Sequence, residues 1–117
     1  MKVLLVEDDD LVREITLECL KEEGFQVIEA SSAEQALEDC DEAAFDVLVT
    51  DIRLPGRLTG WDIAERCREG NPDLPVIYVT GYSHERPRPV PGSVVFSKPY
   101  RPVQVAQAIR SLAGHTE

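Results

Sequence analysis

Val47-Leu48-Val49 is an apolar run without polar alternation that ends two residues later in an acid, Asp51, just ahead of a Pro55-Gly56 turn. A half-exposed strand alternates apolar and polar residues, whereas a strand covered on both faces does not, so this run predicts a buried strand of a parallel sheet. Asp51 then stands where a buried strand surfaces. The carboxyl ends of strands in an open α/β sheet border the crevice where ligands bind, so an acid there is placed for chemistry more than for packing.

Other segments repeat the pattern. Val3 to Val6 is a second short apolar run, closed by Glu7-Asp8-Asp9-Asp10, and Leu11, Val12, Ile15, Cys19 and Leu20 follow at helical spacing as far as Gly24. Phe25 to Glu29 reads as a strand. Ser32 and Gln35 have the spacing of a capping box, and Ala33, Ala36, Leu37, Cys40 and Ala44 share one face of the helix behind it. Beyond the loop that follows Asp51, Thr59 is a candidate cap for a helix carrying Trp61, Ile63, Ala64 and Cys67, which Gly70-Asn71-Pro72 stops. Pro75 to Val79 is a fourth strand ending at Thr80, and Val94 to Phe96 a fifth ending in Ser97-Lys98-Pro99. Val105, Ala108, Ile109 and Leu112 mark a last helix closed by Gly114. Strand and helix alternate, which predicts an α/β fold with a parallel sheet, helices on both faces and right-handed crossovers.

One link departs from this alternation. Between the fourth and fifth strands, Pro87, Pro89 and Pro91 occupy alternate positions, each removing a donor and biasing its predecessor against helix, so no regular helix is expected there.

Composition narrows the function classes. The 117 residues suffice for one domain with a single core, and no apolar run reaches the roughly 20 residues a membrane helix needs. The four apolar residues after Lys2 are too few for a signal peptide, so a cytoplasmic location is expected. A net charge of -10 opposes attraction to nucleic acid and anionic lipid. Cys19, Cys40 and Cys67 are odd in number and lack metal-type spacing; they read as core or near-core thiols in a reducing compartment.

Collecting the strand ends brings Glu7, Asp8, Asp51, Thr80 and Lys98 to one edge of the sheet. Carboxylates packed together repel unless a hard dication neutralises them, and oxygen-only ligands point to Mg²⁺ over zinc. The hydroxyl and the ammonium can then grip an anion, and a phosphoryl group transferred to an aspartate nucleophile satisfies every part of the set. Asp51 is the expected nucleophile. Singly, each residue has a plainer reading: a helix-start acid run for Glu7 to Asp10, a turn opener for Asp51, a strand end for Thr80 and a surface lysine for Lys98.

The motifs VEDD, TDIRLPG, VTG and SKPY, in that order, resemble the receiver domain of two-component response regulators, the family that includes the bacterial chemotaxis regulators. The resemblance covers nearly the whole chain. It implies one receiver domain over residues 1–117, with a flavodoxin-like, doubly wound, five-stranded parallel sheet in the order 2-1-3-4-5 and a degenerate or missing fourth helix. It further implies that Asp51 is phosphorylated by the phosphohistidine of a sensor histidine kinase or a histidine phosphotransfer protein. Mg²⁺ would be bound directly by Asp8, Asp51 and the backbone carbonyl of Arg53, and through water by Glu7. Thr80 and Lys98 would hold the phosphoryl group, and the peptide before Pro99 would be cis. Such a chain is a single-domain regulator or a receiver module of a hybrid kinase. It acts on a downstream protein, with neither nucleic acid nor membrane as a direct partner, and catalyses only its own phosphorylation and dephosphorylation.

Departures from the family pattern shape further expectations. The loop from Asp51 to Gly60 carries one residue more than usual, expected to bulge near Gly56 to Leu58. Val95 replaces an aromatic switch residue, for which Tyr82 or Tyr100 is a candidate substitute, and the Pro-rich link alters the usual output face, leaving the first helix as an alternative. Arg86, Arg88 and Arg101 form either a local basic patch or a solvated loop. Bulky Arg53 and Tyr82 imply slow self-dephosphorylation. Two other classes stay open: a haloacid-dehalogenase-like phosphohydrolase, which would want an acid where Arg53 stands, and a degenerate receiver serving only for docking.

Overall fold

The computed structural model describes residues 1–42, 44–81 and 87–114. Five strands, β1 (Lys2–Val6), β2 (Gln26–Ala30), β3 (Val47–Asp51), β4 (Val76–Thr80) and β5 (Val94–Ser97), form one parallel sheet in the order β2-β1-β3-β4-β5. Four helices accompany them: α1 (Asp10–Glu22), α2 (Ala33–Glu42), α3 (Gly60–Gly70) and α4 (Pro102–Gly114). This is the flavodoxin-like order expected from the sequence.

The uninterrupted apolar runs are explained by what lies on each face. Successive strand residues point to opposite sides, so Leu4, Val6, Leu48, Val76 and Tyr78 pack with Trp61, Ile63 and Ala64 of α3 and with Ala33 and Ala36 of α2. Val3, Leu5, Val47, Val49 and Ile77 go the other way, against Leu20 of α1 and Val105, Ala106 and Ile109 of α4. Both faces are covered. Each of these aliphatic side chains is almost fully buried, which stabilises the fold by roughly 1.5–3 kcal/mol per large residue.

Several strands run one residue further than the hydrophobic runs suggest. Asp51 lies inside β3, paired with Val79, because the ladder continues through Ile52 N–H donating to the Val79 carbonyl at 3.1 Å. The helix starts are set by local chemistry. Asp9 caps α1 by accepting from the amides of Leu11 and Val12, and Thr59 and Asp62 form a reciprocal capping box on α3. On α2 the Gln35 amide donates to Ser32 Oγ, but the Gln35 side chain accepts from Ser31 in place of Ser32. The expected reciprocal box is therefore half formed.

Not every apolar residue at helical spacing belongs to the core. Leu11 and Ile15 of α1 are 66% and 51% exposed, while Thr16 and Leu20 face inward. The cysteines also depart from expectation. Cys40 of α2 and Cys67 of α3 are joined in a disulfide, with Cα atoms 5.3 Å apart, and only Cys19 is free. Helical periodicity places both residues on inward faces but says nothing of which helices become neighbours, so pattern alone left them unpaired.

Between β4 and β5 the described residues, Gly81 and 87–93, contain no helix. Residues 87–93 form a strap held to the fold by its backbone and by the Arg88 side chain. The Val90 amide donates to the buried Tyr78 hydroxyl at 3.2 Å, Arg68 of α3 donates to the Pro91 carbonyl at 2.8 Å, and Arg88 pairs with Asp62 at 2.9 Å. Arg88 is thus tied to acids of α3 and does not contribute to a separate basic patch. Arg86 and Tyr82 lie outside the described residues.

Candidate functional site

The acid run at the end of β1 divides its labour. Asp9 caps α1 and Asp10 pairs with Arg13 at 2.7 Å, so the bland reading of a helix-start run holds for these two. Glu7 and Asp8 do not join that helix. Glu7 is 1% exposed, with its amide donating to the Ala30 carbonyl and its own carbonyl accepting from Arg13 at 2.8 Å. Asp8 is exposed beside it.

The neighbouring strand brings the third acid. Because β1 and β3 are parallel and in register, with Val6 opposite Thr50, their ends meet, and ligand oxygens of Glu7, Asp8 and Asp51 lie within 4.8 Å of one another. Asp51 is 5% exposed. Its Oδ1 accepts from the Arg53 amide at 3.3 Å, which folds the start of the loop back over the carboxylate, and the Arg53 side chain points to solvent.

Across the cluster lies Lys98, delivered by β5. Its Nζ donates to Asp51 Oδ2 at 2.7 Å and stands 3.0 Å from Glu7 Oε1, an ion pair whose alignment falls short of a hydrogen bond. The Lys98 amide donates to the Thr80 carbonyl at 2.6 Å, joining the ends of β4 and β5, and the Lys98-Pro99 peptide is cis. The Thr80 hydroxyl is buried and has no hydrogen-bond partner among the described residues. All five expected residues stand at one edge of the sheet, and the backbone of Arg53 borders it.

Electrostatics follow from this crowding. Burial, reinforced by the nearby Asp51 charge, pushes the Glu7 carboxyl up to about 7, against the opposing pull of Lys98. Burial works against the Lys98 ammonium as well, but its hydrogen bond to Asp51 and its ion pair with Glu7 win and hold it well above the ordinary lysine range. Among the described residues, two acids thus depend on one cation, and a dication fits the three-carboxylate, all-oxygen set.

Sequence reasoning missed two supports. Thr50 Oγ1 donates to the Asp51 carbonyl at 2.8 Å, and Gly60, the first residue of α3, packs directly on the Asp51 backbone while its amide donates to the Ile52 carbonyl at 2.8 Å. A side chain at position 60 would collide with the Asp51 carbonyl. The signal was a glycine at the first helical position, directly after the Thr59 cap, where a better helix former is the ordinary choice. Of the two candidate aromatic substitutes, Tyr100 is half-buried, with its hydroxyl 2.9 Å from Thr16 Oγ1 on α1.

A five-stranded flavodoxin-like sheet with acids, a hydroxyl and a lysine at its carboxyl edge defines a class of signalling domain. The chain belongs to the response regulator receiver domain family, which it matches over residues 3–110. It is 33% identical over 116 residues to the sensor kinase CckA of Brucella abortus, covering 94% of this chain and 12% of that kinase. A response regulator receiver protein from Sinorhizobium medicae superposes with a TM-score of 0.93 at 31% identity, covering all of this chain and 97% of the other. The response regulator TrrA from Thermotoga maritima, solved in complex with Mg²⁺-BeF, gives 0.82 at 28% identity, covering 95% and 97%. The chain spans only a small part of the long sensor kinase it matches.

Proposed function

We propose that this receiver domain accepts a phosphoryl group on Asp51 from the phosphohistidine of a sensor histidine kinase or a histidine phosphotransfer protein, with Mg²⁺ as cofactor. The observation that carries this reading is the pairing of a buried Thr80 hydroxyl, which has no partner among the described residues, with a lysine already bound to the acceptor carboxylate. Buried polar atoms are seldom left unsatisfied, so Thr80 has a donor to spare for an incoming oxyanion.

Asp8, Asp51 and the Arg53 carbonyl would hold the dication directly, with Glu7 behind through water. When bound, it offsets the acid cluster and draws charge from the phosphoryl oxygens. The chain's own residues do the rest. An Asp51 oxygen attacks phosphorus as the P–N bond to the donor imidazole breaks, and the imidazole leaves with that bond's electron pair. Lys98, freed from the carboxylate that becomes an acyl phosphate, turns its charge to a phosphoryl oxygen, and the Thr80 hydroxyl donates to another. No acid stands at position 53 to protonate a leaving group, so the chain turns over nothing except its own phosphoryl group.

The donor docks beside the site. Val12, Ile15, Thr16, Pro99, Tyr100 and Pro102 line an apolar groove of about 400 Å³ that Lys98 shares with the acceptor, and exposed Leu11 lies on the same helix. With no helix in the described part of the β4–β5 link, this α1 face also serves the output contact. No helix among the described residues is long and apolar enough to cross a membrane, and we place the protein with its donor in the cytoplasm, without a direct nucleic-acid or membrane partner.

Incubation with acetyl phosphate and Mg²⁺ followed by intact-mass measurement tests the reading. One phosphoryl group per chain is expected. Continuous turnover of acetyl phosphate would favour a hydrolase, and an unchanged mass a docking module. Ile15→Glu is expected to slow transfer from the partner kinase by tenfold or more while leaving acetyl phosphate labelling unchanged, roughly the cost of burying a charge in an apolar contact.

A further inference from the structure

The end of the molecule opposite Asp51 carries chemistry that phosphoryl transfer does not use. Helices α2 and α3 lie side by side and run antiparallel to the strands, so their last turns meet near the amino ends of β1, β2 and β3. Cys40 and Cys67 face each other there, with Cα atoms 5.3 Å apart, inside the span in which side chains can be bridged without backbone movement. The two sulfurs differ in access. Cys67 is 6% exposed, whereas Cys40 is half-buried, and both border an open cavity of about 670 Å³ with Lys2, Asp41, Asp46 and Asn71 on its walls.

We propose that Cys40 and Cys67 form a reversible thiol–disulfide site, oxidised by low-molecular-weight disulfides and reduced by dithiols, that staples α2 to α3. The Cys40 thiolate, reached through the cavity, attacks one sulfur of the small disulfide and expels a thiolate. The Cys67 thiolate then attacks the Cys40 sulfur of the mixed disulfide and expels the second. Two electrons pass from the protein to the small disulfide, and the two protons lost from the cysteines end on the two thiols released. In reducing compartments, disulfides are mostly transient or redox-sensing, which suits a pair whose outer sulfur is open to exchange.

The staple closes a loop that contains all of β3, with Asp51, and most of α3. Its consequence reaches the acceptor through α3, whose first residue, Gly60, packs on the Asp51 backbone and whose last turn carries Cys67. Oxidation fixes α3 covalently at its far end against α2, and reduction leaves that end held by packing and by the exposed Arg66–Asp41 ion pair at 3.0 Å. Cys19, on α1, is remote from the pair in the fold, and burial pushes its thiol up, away from the reactive thiolate form.

The test uses the wild-type chain and does not require phosphorylation, so its outcome is independent of the acceptor reading. Reduced protein is treated with glutathione disulfide, desalted, unfolded and alkylated, then mapped by peptide mass. The expected result is alkylation at Cys19 alone, a linked Cys40–Cys67 peptide, full reversal by dithiothreitol, and a Tm higher by on the order of 10 °C in the oxidised form. The Cys40→Ser variant should lose the Tm response. Alkylation of Cys40 and Cys67 after oxidation, glutathione persisting on either one, linkage through Cys19, or an undiminished Tm response in Cys40→Ser would overturn the proposal.

Discussion

Gly60 shows how a residue without a functional group can decide a site. The absence of a Cβ lets α3 begin in contact with the Asp51 carbonyl, and backbone offers no flexible end that can yield. Gly60→Ala is expected to cost about 1–3 kcal/mol, as overpacking does, and to displace the acceptor. Urea denaturation, with Mg²⁺-dependent labelling alongside, checks both effects. Glu7 sets a second, pH-dependent term. Its folded value near 7 lies above the unfolded carboxylate value, so the metal-free fold binds this proton more tightly than the unfolded chain does. This group's contribution is therefore most favourable below about pH 4.5 and falls as pH rises through 7, by on the order of 3 kcal/mol. Melting in EDTA from pH 5 to 8 is expected to show a decline that Glu7→Gln flattens. Lys98 carries the same sign at higher pH: its raised value stabilises the fold below the ordinary lysine pKa, and that benefit is lost in strongly alkaline solution.

At the scale of elements, the described part of the β4–β5 link, residues 87–93, forms a strap and no helix, and its alternate prolines cannot supply the donors a helix needs. It is held by partners outside itself. Tyr78, buried in β4, accepts from the Val90 amide, and Tyr78→Phe would leave that N–H unsatisfied in a buried position. A loss of about 1–3 kcal/mol is expected, together with faster amide exchange at Val90. Unchanged exchange there would show that the strap is held by Arg68 and Arg88 alone. Helix α1 has the complementary character. Its Leu11 and Ile15 follow core spacing yet face outward, because α4 begins only at Pro102 and an open groove lined by Pro99, Tyr100 and Pro102 lies beside Ile15. Periodicity reports which residues share a face, and only the packing of other elements decides whether that face is covered.

Over the whole molecule, the sheet and the meeting of Glu7, Asp8, Asp51, Thr80 and Lys98 at one edge were legible because parallel strands buried on both faces leave unbroken apolar runs whose ends are marked by polar residues. Register then does the assembling: Val6 opposite Thr50, and Thr80 opposite Ser97, bring distant stretches of sequence to one edge. Contacts that depend on which helices become neighbours were not legible, as the Cys40–Cys67 pair and the Asp62–Arg88 pair show. Neither follows from spacing along the chain. The acid cluster also makes stability and ligation one property of the fold. A dication at a hundred times its Kd is expected to raise stability by about 2.7 kcal/mol. At a fixed Mg²⁺ concentration the gain is expected to be larger at pH 8 than at pH 5, because in the proposed ligand set the raised Glu7 carboxyl ionises only as pH passes about 7.

The convergence of separate strand ends on one acceptor is tested most directly by locating the phosphoryl group. Protein treated with acetyl phosphate is trapped by borohydride reduction of the acyl phosphate and mapped by peptide mass, with Mg²⁺ and with EDTA. Modification confined to Asp51, dependent on Mg²⁺ and sharply reduced in Lys98→Ala, is the expected result. Modification at another carboxylate, or equal labelling of Asp51→Asn, would contradict it.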